Sequence, residues 1–223
     1  MSRGLILTGG RLNRHFLESY LKTEQFDKIF CVDGALETVE EIGLAVDYLL
    51  GDFDSVDPEL LDRFRRKVSC GELSTIIQEY NPVKDATDTE IAIDLAAEMG
   101  LSELVILGAT GSRTDHLLGN ISLLKKTLDA GMQAFLLDEY NKIYLVREGL
   151  TIRREEQYGS YVSLLPFGGI VKGVTLRGFS YDLTDRDYEY GSSLGISNEI
   201  AEEEGRISFE SGILLVIEAR DGE

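Results

Sequence analysis

Short apolar runs alternate with segments of helical periodicity through the first two thirds of the chain. The runs have strand length and are often β-branched, and between them apolar residues recur every three or four positions, as Ile91, Leu95 and Met99 do. The predicted strands are Gly4–Thr8, Lys28–Val32, Val46–Leu50, Leu104–Leu107 and Gln133–Leu137. This order of strands and helices is typical of a parallel sheet covered by helices, which is an α/β domain.

Four helices are predicted in the same region. Asp57 and Pro58 form a strong start signal, because aspartate is a favoured N-cap and proline fits the first helical position. Gly100 and Gly131 follow the last two apolar stripes and mark their ends. The predicted helices are Leu36–Leu44, Glu59–Arg66, Ile91–Met99 and Leu117–Leu128.

The pattern changes near Gly149. Beyond this residue, strand-length runs follow one another and are separated by glycine-rich turns, such as the one at Gly168 and Gly169. The predicted strands are Thr151–Arg153, Tyr161–Leu165, Gly173–Arg177, Asp187–Tyr190, Arg206–Phe209 and Ile213–Glu218. We therefore expect an α/β domain over residues 1–148 and a smaller all-β domain over residues 149–223.

The chain is strongly acidic. Its 223 residues include 40 Asp and Glu against 22 Lys and Arg, which gives a formal net charge of −18. This charge argues against nonspecific binding to nucleic acid or an anionic membrane, and it implies that a cation must mediate contact with a phosphorylated ligand. No stretch approaches 18 apolar residues, and Cys31 and Cys70 provide no disulfide framework. We expect a cytoplasmic protein without nucleic-acid or membrane partners.

The strongest local motif is Gly51-Asp52-Phe53-Asp54-Ser55, which directly follows a predicted strand. In an extended chain, residues i and i+2 point to the same side and lie ~6.6 Å apart, so Asp52 and Asp54 present two carboxylates together. They lie at the carboxyl end of the strand, where open α/β sheets hold their ligands. Mg²⁺ prefers such oxygen ligands together with substrate phosphates. An isolated Asp-x-Asp pair is also compatible with a solvated acidic turn followed by a helix cap.

Further polar clusters follow other predicted strands or precede helices. Asp33 ends the second strand, and Lys84-Asp85-Ala86-Thr87-Asp88 precedes the Ile91–Met99 helix. The second cluster suits a metal–phosphate site, although an aspartate or threonine there could simply cap the helix. Because strand ends meet at one edge of a parallel sheet, we expect a polar binding cleft at that edge.

A glycine-rich segment, Gly108–His116, joins the fourth predicted strand to the last helix. Its small residues would let backbone N–H groups approach a phosphate at the helix N-terminus, and Arg113 could pair with phosphate oxygens. The segment is not a Walker A loop, because Gly111 is not followed by Lys and Ser or Thr.

Taken in order, these motifs resemble those of the thiamine pyrophosphokinase family. The likeness runs through Asp33-Gly34, Gly51–Ser55, Lys84–Glu90 and Gly108–His116, with Asn120 beyond. In the second half, Gly191–Glu199 is similar to the thiamine-contacting segment of that family. The match spans nearly the whole chain in the same order.

The resemblance implies a fold and a reaction. The fold would be a Rossmann-like nucleotide domain with a parallel sheet, followed by a β-sandwich domain that binds thiamine. The reaction would be ATP + thiamine → AMP + thiamine diphosphate, with Mg²⁺ as cofactor and ATP as co-substrate. The family also implies a homodimer with sites formed between subunits.

The resemblance also implies roles for individual residues. It places Asp52, Asp54 and Asp88 on Mg²⁺ and the triphosphate. The ATP side of the cleft would be lined by Asp33, Lys84, Asp85, Thr87, Gly111, Arg113 and Asp115. Asp115 is counted with the three metal-binding aspartates among the catalytic residues. Ser197 and Asn198 would contact the aminopyrimidine of thiamine.

Two other functions fit the same motifs. A pyrophosphokinase could keep the fold and act on a different alcohol, because the second half carries the weaker match. A non-catalytic nucleotide or metal sensor could use the acidic cluster for binding only. The intact set of Asp52, Asp54, Asp88 and Arg113 favours catalysis.

Overall fold

The computed structural model describes residues 1–81 and 85–222. The chain divides into two compact units, Met1–Glu139 and Tyr140–Glu223. None of the described helices combines the length and the apolar character needed to cross a bilayer. Lys84, which the sequence places in the candidate site, lies outside the described residues.

The first unit is built on six strands that all run parallel. Their order across the sheet is β4-β3-β2-β1-β5-β6. The strands are β1 (Arg3–Leu7), β2 (Lys28–Val32), β3 (Tyr48–Gly51), β4 (Ile76–Glu79), β5 (Glu103–Leu107) and β6 (Gln133–Leu137). Leu5, Ile6 and Leu7 are fully buried, as expected for a central parallel strand with both faces covered.

Five helices connect these strands in the described part of the unit. They are α1 (Arg14–Thr23), α2 (Ala35–Ile42), α3 (Pro58–Ser69), α4 (Asp88–Glu98) and α5 (Thr114–Asp129). The predicted start of α3 is confirmed, since the Asp57 side chain accepts a hydrogen bond from the Glu59 backbone N–H and Pro58 occupies the first turn. The five predicted strands and four predicted helices are all present, with ends shifted by a few residues.

Two elements of this unit were not predicted from the sequence. Helix α1 buries only Leu17 completely, so its apolar stripe is weak. It starts because the Asn13 side chain accepts a hydrogen bond from the Phe16 N–H. Strand β4 is a four-residue edge strand, and its Ile76 is 50% exposed, so it lacks the buried apolar run that marks the other strands.

The strand order places β1 between β2 and β5, and the loops that follow β1 and β5 cross closely. A Cβ atom on Gly10 would lie 2.0 Å from the Gly108 carbonyl oxygen, and one on Gly108 would lie 2.3 Å from the Thr8 carbonyl oxygen. Gly108 also has a φ of 80°, which favours glycine. The two glycine-rich loops are therefore locked together at the carboxyl edge of the sheet.

The strands of the second unit pair antiparallel in two groups. One holds β7-β13-β9 and the other β11-β10-β12-β8. Their bounds are β7 (Asn141–Val146), β8 (Leu150–Arg153), β9 (Tyr161–Pro166), β10 (Val171–Arg177), β11 (Leu183–Tyr188), β12 (Glu204–Ser208) and β13 (Leu214–Ala219). Together, the units confirm a mixed α/β fold with a mainly parallel sheet and a separate antiparallel sheet.

Two strands of the second unit differ from the prediction. Strand β7 was not predicted, because its run begins with the polar residues Asn141 and Lys142 and comes before the change of pattern at Gly149. Strand β11 starts at Leu183, whereas the predicted strand began at Asp187. The start was missed because the first five residues of β11 are largely exposed and form no apolar run.

The loop crossing predicts opposite effects for two glycine-to-alanine variants. Gly10→Ala should lower the free energy of unfolding by about 1–3 kcal/mol, because its methyl group overlaps the Gly108 carbonyl. Gly119→Ala, in the exposed middle of α5 with no neighbour within 4 Å, should raise it by about 0.5–1 kcal/mol. Urea unfolding of both variants measures the difference, and equal stability for the two would contradict the crossing.

Candidate active site

Asp33 occupies an unusual backbone position directly after β2. Its φ is 47°, a left-handed conformation that aspartate adopts more readily than most residues. Its N–H donates to the Leu50 carbonyl at 2.8 Å, which extends the β2–β3 ladder by one bond. The side chain is thus fixed at the carboxyl edge of the sheet, beside the end of β3.

Asp52 and Asp54 follow the last residue of β3. Gly51 packs so closely that a Cβ there would lie 3.2 Å from the Cβ of Asp33. Phe53, between the two aspartates, has a φ of 60° and is only 6% exposed. The Asp54 N–H donates to Asp52 Oδ1 at 3.2 Å. This tight turn buries the aromatic ring and leaves both carboxylates at the edge of the sheet.

The three aspartates form one cluster. Asp33, Asp52 and Asp54 each offer a carboxylate oxygen, and these oxygens all lie within 4.8 Å of one another. The negative charge of Asp52 raises the pKa of Asp54, with smaller contributions from desolvation and from the charges of Asp33 and Asp88. Like charges held this close repel unless a proton or a cation lies between them.

One oxygen of the cluster is left without a donor. The Ser55 hydroxyl donates to Asp33 Oδ2. Asp33 Oδ1 is buried and accepts no hydrogen bond from any of the described residues. A buried carboxylate oxygen without a partner is costly, so it is suited to a positively charged ligand. The oxygen-only donor set fits a hard divalent cation such as Mg²⁺.

Asp88 is the first residue of α4, close enough for its charge to act on Asp54, although it is not one of the three clustered residues. Thr87 caps α4, since its side chain accepts from the Glu90 N–H at 3.2 Å. The buried hydroxyls of Thr8 and Thr89 lie 2.9 Å apart and hold the start of α4 against the end of β1.

Asp85 is exposed in the bend before α4. Its expected place on the ATP side of the cleft, like that of Lys84, stays a prediction.

Arg113 and Asp115 pair with each other at the start of α5. The guanidinium donates to both carboxylate oxygens, at 2.5 and 3.2 Å, and both side chains are about two-thirds exposed. The hydrogen bond from Arg113 lowers the pKa of Asp115 to about 2. Asn120 fixes the preceding loop, because its side-chain amide donates to the Ala109 carbonyl at 2.9 Å. Gly111 lies in that loop, against the loop that follows β1.

Ser197 and Asn198 lie in the second unit. Ser197 is exposed, has a φ of 53° and donates its N–H to Ser163 Oγ at 2.9 Å. The buried Asn198 side chain accepts from the N–H groups of Tyr181 and Glu199 and donates to the Tyr181 carbonyl. Asn198 therefore connects two loops of its own unit, and the expected contact of these residues with thiamine stays a prediction.

Neither the contact of Ser55 with Asp33 nor that of Thr8 with Thr89 was predicted from the sequence. Ser55 stood within the strongest motif, but only the spatial pairing of β2 with β3 brings it to Asp33. Thr8 ends the first predicted strand, and its contact with Thr89 crosses 81 residues of sequence. Neither contact has a local signal in the sequence.

Two family models match the chain. One is described as the catalytic domain of thiamin pyrophosphokinase and matches residues 18–136. The other is described as the vitamin B1 binding domain of thiamin pyrophosphokinase and matches residues 149–214. The first covers the three clustered aspartates, and the second covers Ser197 and Asn198.

The chain is also similar to individual thiamine pyrophosphokinases. The chain is 34% identical to a thiamine pyrophosphokinase of Bacillus subtilis (strain 168), over 85% of this chain and 86% of that protein. A crystal structure of thiamine pyrophosphokinase from Bacillus subtilis aligns with a TM-score of 0.84 at 30% identity, covering 99% of this chain and 100% of the other.

A second solved structure extends this agreement. The thiamin pyrophosphokinase of Geobacillus thermodenitrificans aligns with a TM-score of 0.81 at 33% identity, over 99% of both chains. The catalytic and vitamin B1 binding models both match, in order, and the likeness to solved structures spans nearly the whole chain. The chain belongs to the thiamine pyrophosphokinase family.

Proposed function

We propose that the protein is a Mg²⁺-dependent thiamine pyrophosphokinase. It transfers the pyrophosphoryl group of ATP to the hydroxyl of thiamine and releases AMP and thiamine diphosphate. Family membership supports the reaction and its two substrates. The single structural observation that carries the proposal is the cluster of Asp33, Asp52 and Asp54 at the carboxyl ends of β2 and β3.

We place the metal site at this cluster. Asp33, Asp52 and Asp54 would hold Mg²⁺, and Asp88, which the family motif also assigns to the metal, is near enough to add its charge. When bound, Mg²⁺ neutralises the carboxylates and the negative charge of the polyphosphate. The chain supplies the rest by positioning, because pyrophosphoryl transfer requires alignment of the groups more than covalent help.

The other groups on this side of the sheet would bind ATP. Arg113 would contact phosphate oxygens, exchanging or sharing its present pairing with Asp115. The glycine-rich loop at Gly111 would bring backbone N–H groups near the phosphates, at the start of α5. We place Lys84, Asp85 and Thr87 on the same side, as the family motif implies.

The chemical step needs a proton acceptor. The hydroxyl oxygen of thiamine forms a bond to the β-phosphorus, the bond from that phosphorus to the oxygen of AMP breaks, and the hydroxyl proton is lost. We assign the orientation of the hydroxyl and the acceptance of its proton to a carboxylate of the cluster, Asp52 or Asp54. Neither histidine is placed in the reaction.

The thiamine side is assigned to the second unit. Ser197 and Asn198 would contact the aminopyrimidine. Because the chain has no tryptophan, any aromatic residue that stacks on thiamine would be a tyrosine or a phenylalanine. Four exposed side chains of the same unit offer apolar surface: Tyr181, Tyr190, Leu194 and Ile196.

We further propose that the first unit is a Rossmann-like domain and the second a β-sandwich. The protein would be a cytoplasmic homodimer with sites formed between subunits.

The direct test is an incubation of the protein with ATP, Mg²⁺ and thiamine. We expect equal amounts of AMP and thiamine diphosphate, measured by chromatography, and no product when Mg²⁺ is chelated. AMP formation with other alcohols but not with thiamine would contradict the substrate. Nucleotide binding without any AMP formation would indicate a sensor instead.

Asp54→Asn tests the acidic cluster. We expect turnover to fall about 100-fold or more, because the variant loses one of the charges that would face the cation. Folding should be kept, and the thermal midpoint should be unchanged or higher, since the repulsion that raises the pKa of Asp54 is removed.

The matched control is Asp57→Asn. This variant removes the same charge three residues away, and asparagine caps α3 about as well as aspartate. It should retain nearly full activity. Near-normal turnover of folded Asp54→Asn, or an equal loss in both variants, would exclude Asp54 from the proposed metal site.

A further inference from the structure

We propose that Ser55 is a positioning residue of the acidic cluster. Its hydroxyl holds one oxygen of Asp33 and so presents the other oxygen to the cation. This inference rests on the metal site of the proposed function. It assigns Ser55 no contact with substrate or with the metal.

The contact is specific to one oxygen. The Ser55 hydroxyl donates to Asp33 Oδ2, while Asp33 Oδ1 is buried and has no donor among the described residues. The two oxygens of this carboxylate are therefore not equivalent. Residues that donate to metal-binding carboxylates orient those ligands, and such outer partners strongly influence metal affinity.

The backbone around both residues is fixed. Asp33 is tied to β3 by the bond from its N–H to the Leu50 carbonyl. Ser55 lies between two buried side chains, Phe53 at 6% and Val56 at 4% exposure. The Val56 N–H also donates to the Phe53 carbonyl at 3.3 Å. The side-chain torsion of Asp33 is the main freedom left, and the Ser55 hydroxyl restricts it.

The repulsion within the cluster makes this restriction necessary. Asp52 and Asp54 carry like charges within 4.8 Å of a carboxylate oxygen of Asp33. Without a donor on Oδ2, the Asp33 carboxylate would turn away from them towards solvent. The hydroxyl of Ser55 opposes that rotation before any cation arrives.

A purely structural role fits Ser55 poorly. It stands next to the start of α3, but the cap of that helix is Asp57, whose side chain accepts from the Glu59 N–H at 3.0 Å. Ser55 is exposed, so removal of its hydroxyl opens no cavity in the core. A Cβ built on Gly34 would lie 3.6 Å from Ser55 Oγ. Because Gly34 has no side chain, there is room at position 55 for a residue slightly larger than serine.

The test measures metal binding directly. Mn²⁺ is titrated into the full chain with α,β-methylene-ATP, which cannot be cleaved between the α and β phosphates, and free Mn²⁺ is followed by electron paramagnetic resonance. We expect Ser55→Ala to bind Mn²⁺ about 10-fold more weakly than wild type. Ser55→Thr keeps the hydroxyl and should bind within about 2-fold of wild type.

Two further variants complete the design. Ser69→Ala removes an exposed hydroxyl at the end of α3, which donates to the Arg66 carbonyl, and should bind Mn²⁺ like wild type. Ser55→Cys, a weak donor of similar shape, replaces Ser55→Ala if the alanine variant does not fold. In activity assays, the loss in Ser55→Ala should be a higher Mg²⁺ requirement, with kcat largely recovered at saturating Mg²⁺.

Several results would overturn the inference. These are unchanged Mn²⁺ affinity in Ser55→Ala, an equal loss in Ser55→Thr, and no Mn²⁺ binding by the wild type. Failure of the proposed function gives a different pattern. In that case the wild type forms no thiamine diphosphate, yet Ser55→Ala still weakens Mn²⁺ binding and Ser55→Thr restores it.

Discussion

The structure depends on holding three mutually repelling carboxylates at one point. The pairing of β2 with β3, with Val32 opposite Leu50, places Asp33 beside Gly51 and brings Asp52 and Asp54 to the same edge. The positive φ at Asp33 and the tight turn at Phe53 are conformations that cost free energy, and the surrounding ladder and buried ring maintain them. The raised pKa of Asp54 reflects the same repulsion. Binding of the proposed cation would relieve this repulsion.

The remainder of the sheet edge would bind the phosphate groups in the proposed function. The loops after β1 and β5 interlock through Gly10 and Gly108, at the position where the strand order reverses. Open α/β sheets bind their ligands at such switch points. The contact between Thr8 and Thr89 sets the start of α4, which carries Asp88, against the same edge. The proposed metal ligands and the proposed phosphate-binding loops thus follow neighbouring strands.

The sequence predicted the parts of this arrangement that have a local signal. Strands and helices of the first unit differ clearly in apolar period, so their alternation and the sheet edge could be inferred. Helix α1, the edge strand β4 and strand β7 could not, because few of their residues form a continuous buried pattern. The exposed start of β11 was missed for the same reason.

In the candidate site, too, features with a local signal in the sequence were predicted and those that depend on the fold were not. Asp52 and Asp54 are two residues apart, so their proximity was predictable from their spacing. The predicted extended conformation is wrong, however, because β3 ends at Gly51 and a turn at Phe53, with a φ of 60°, brings the two carboxylates together. The addition of Asp33 and its hydrogen bond to Ser55 depends on β2–β3 pairing across more than 20 residues. The pairing of Arg113 with Asp115 depends on side-chain rotamers, which a motif does not specify. The contacts of Asn198 with Tyr181 likewise arise only from the fold.

Asp33, Asp52 and Asp54 are proposed to hold one divalent cation together. The most direct measurement is anomalous diffraction at the manganese edge from crystals grown with Mn²⁺ and α,β-methylene-ATP. We expect an anomalous peak within coordination distance of carboxylate oxygens of this cluster. A peak bound elsewhere on the protein, with these three carboxylates turned away from it, would contradict the claim.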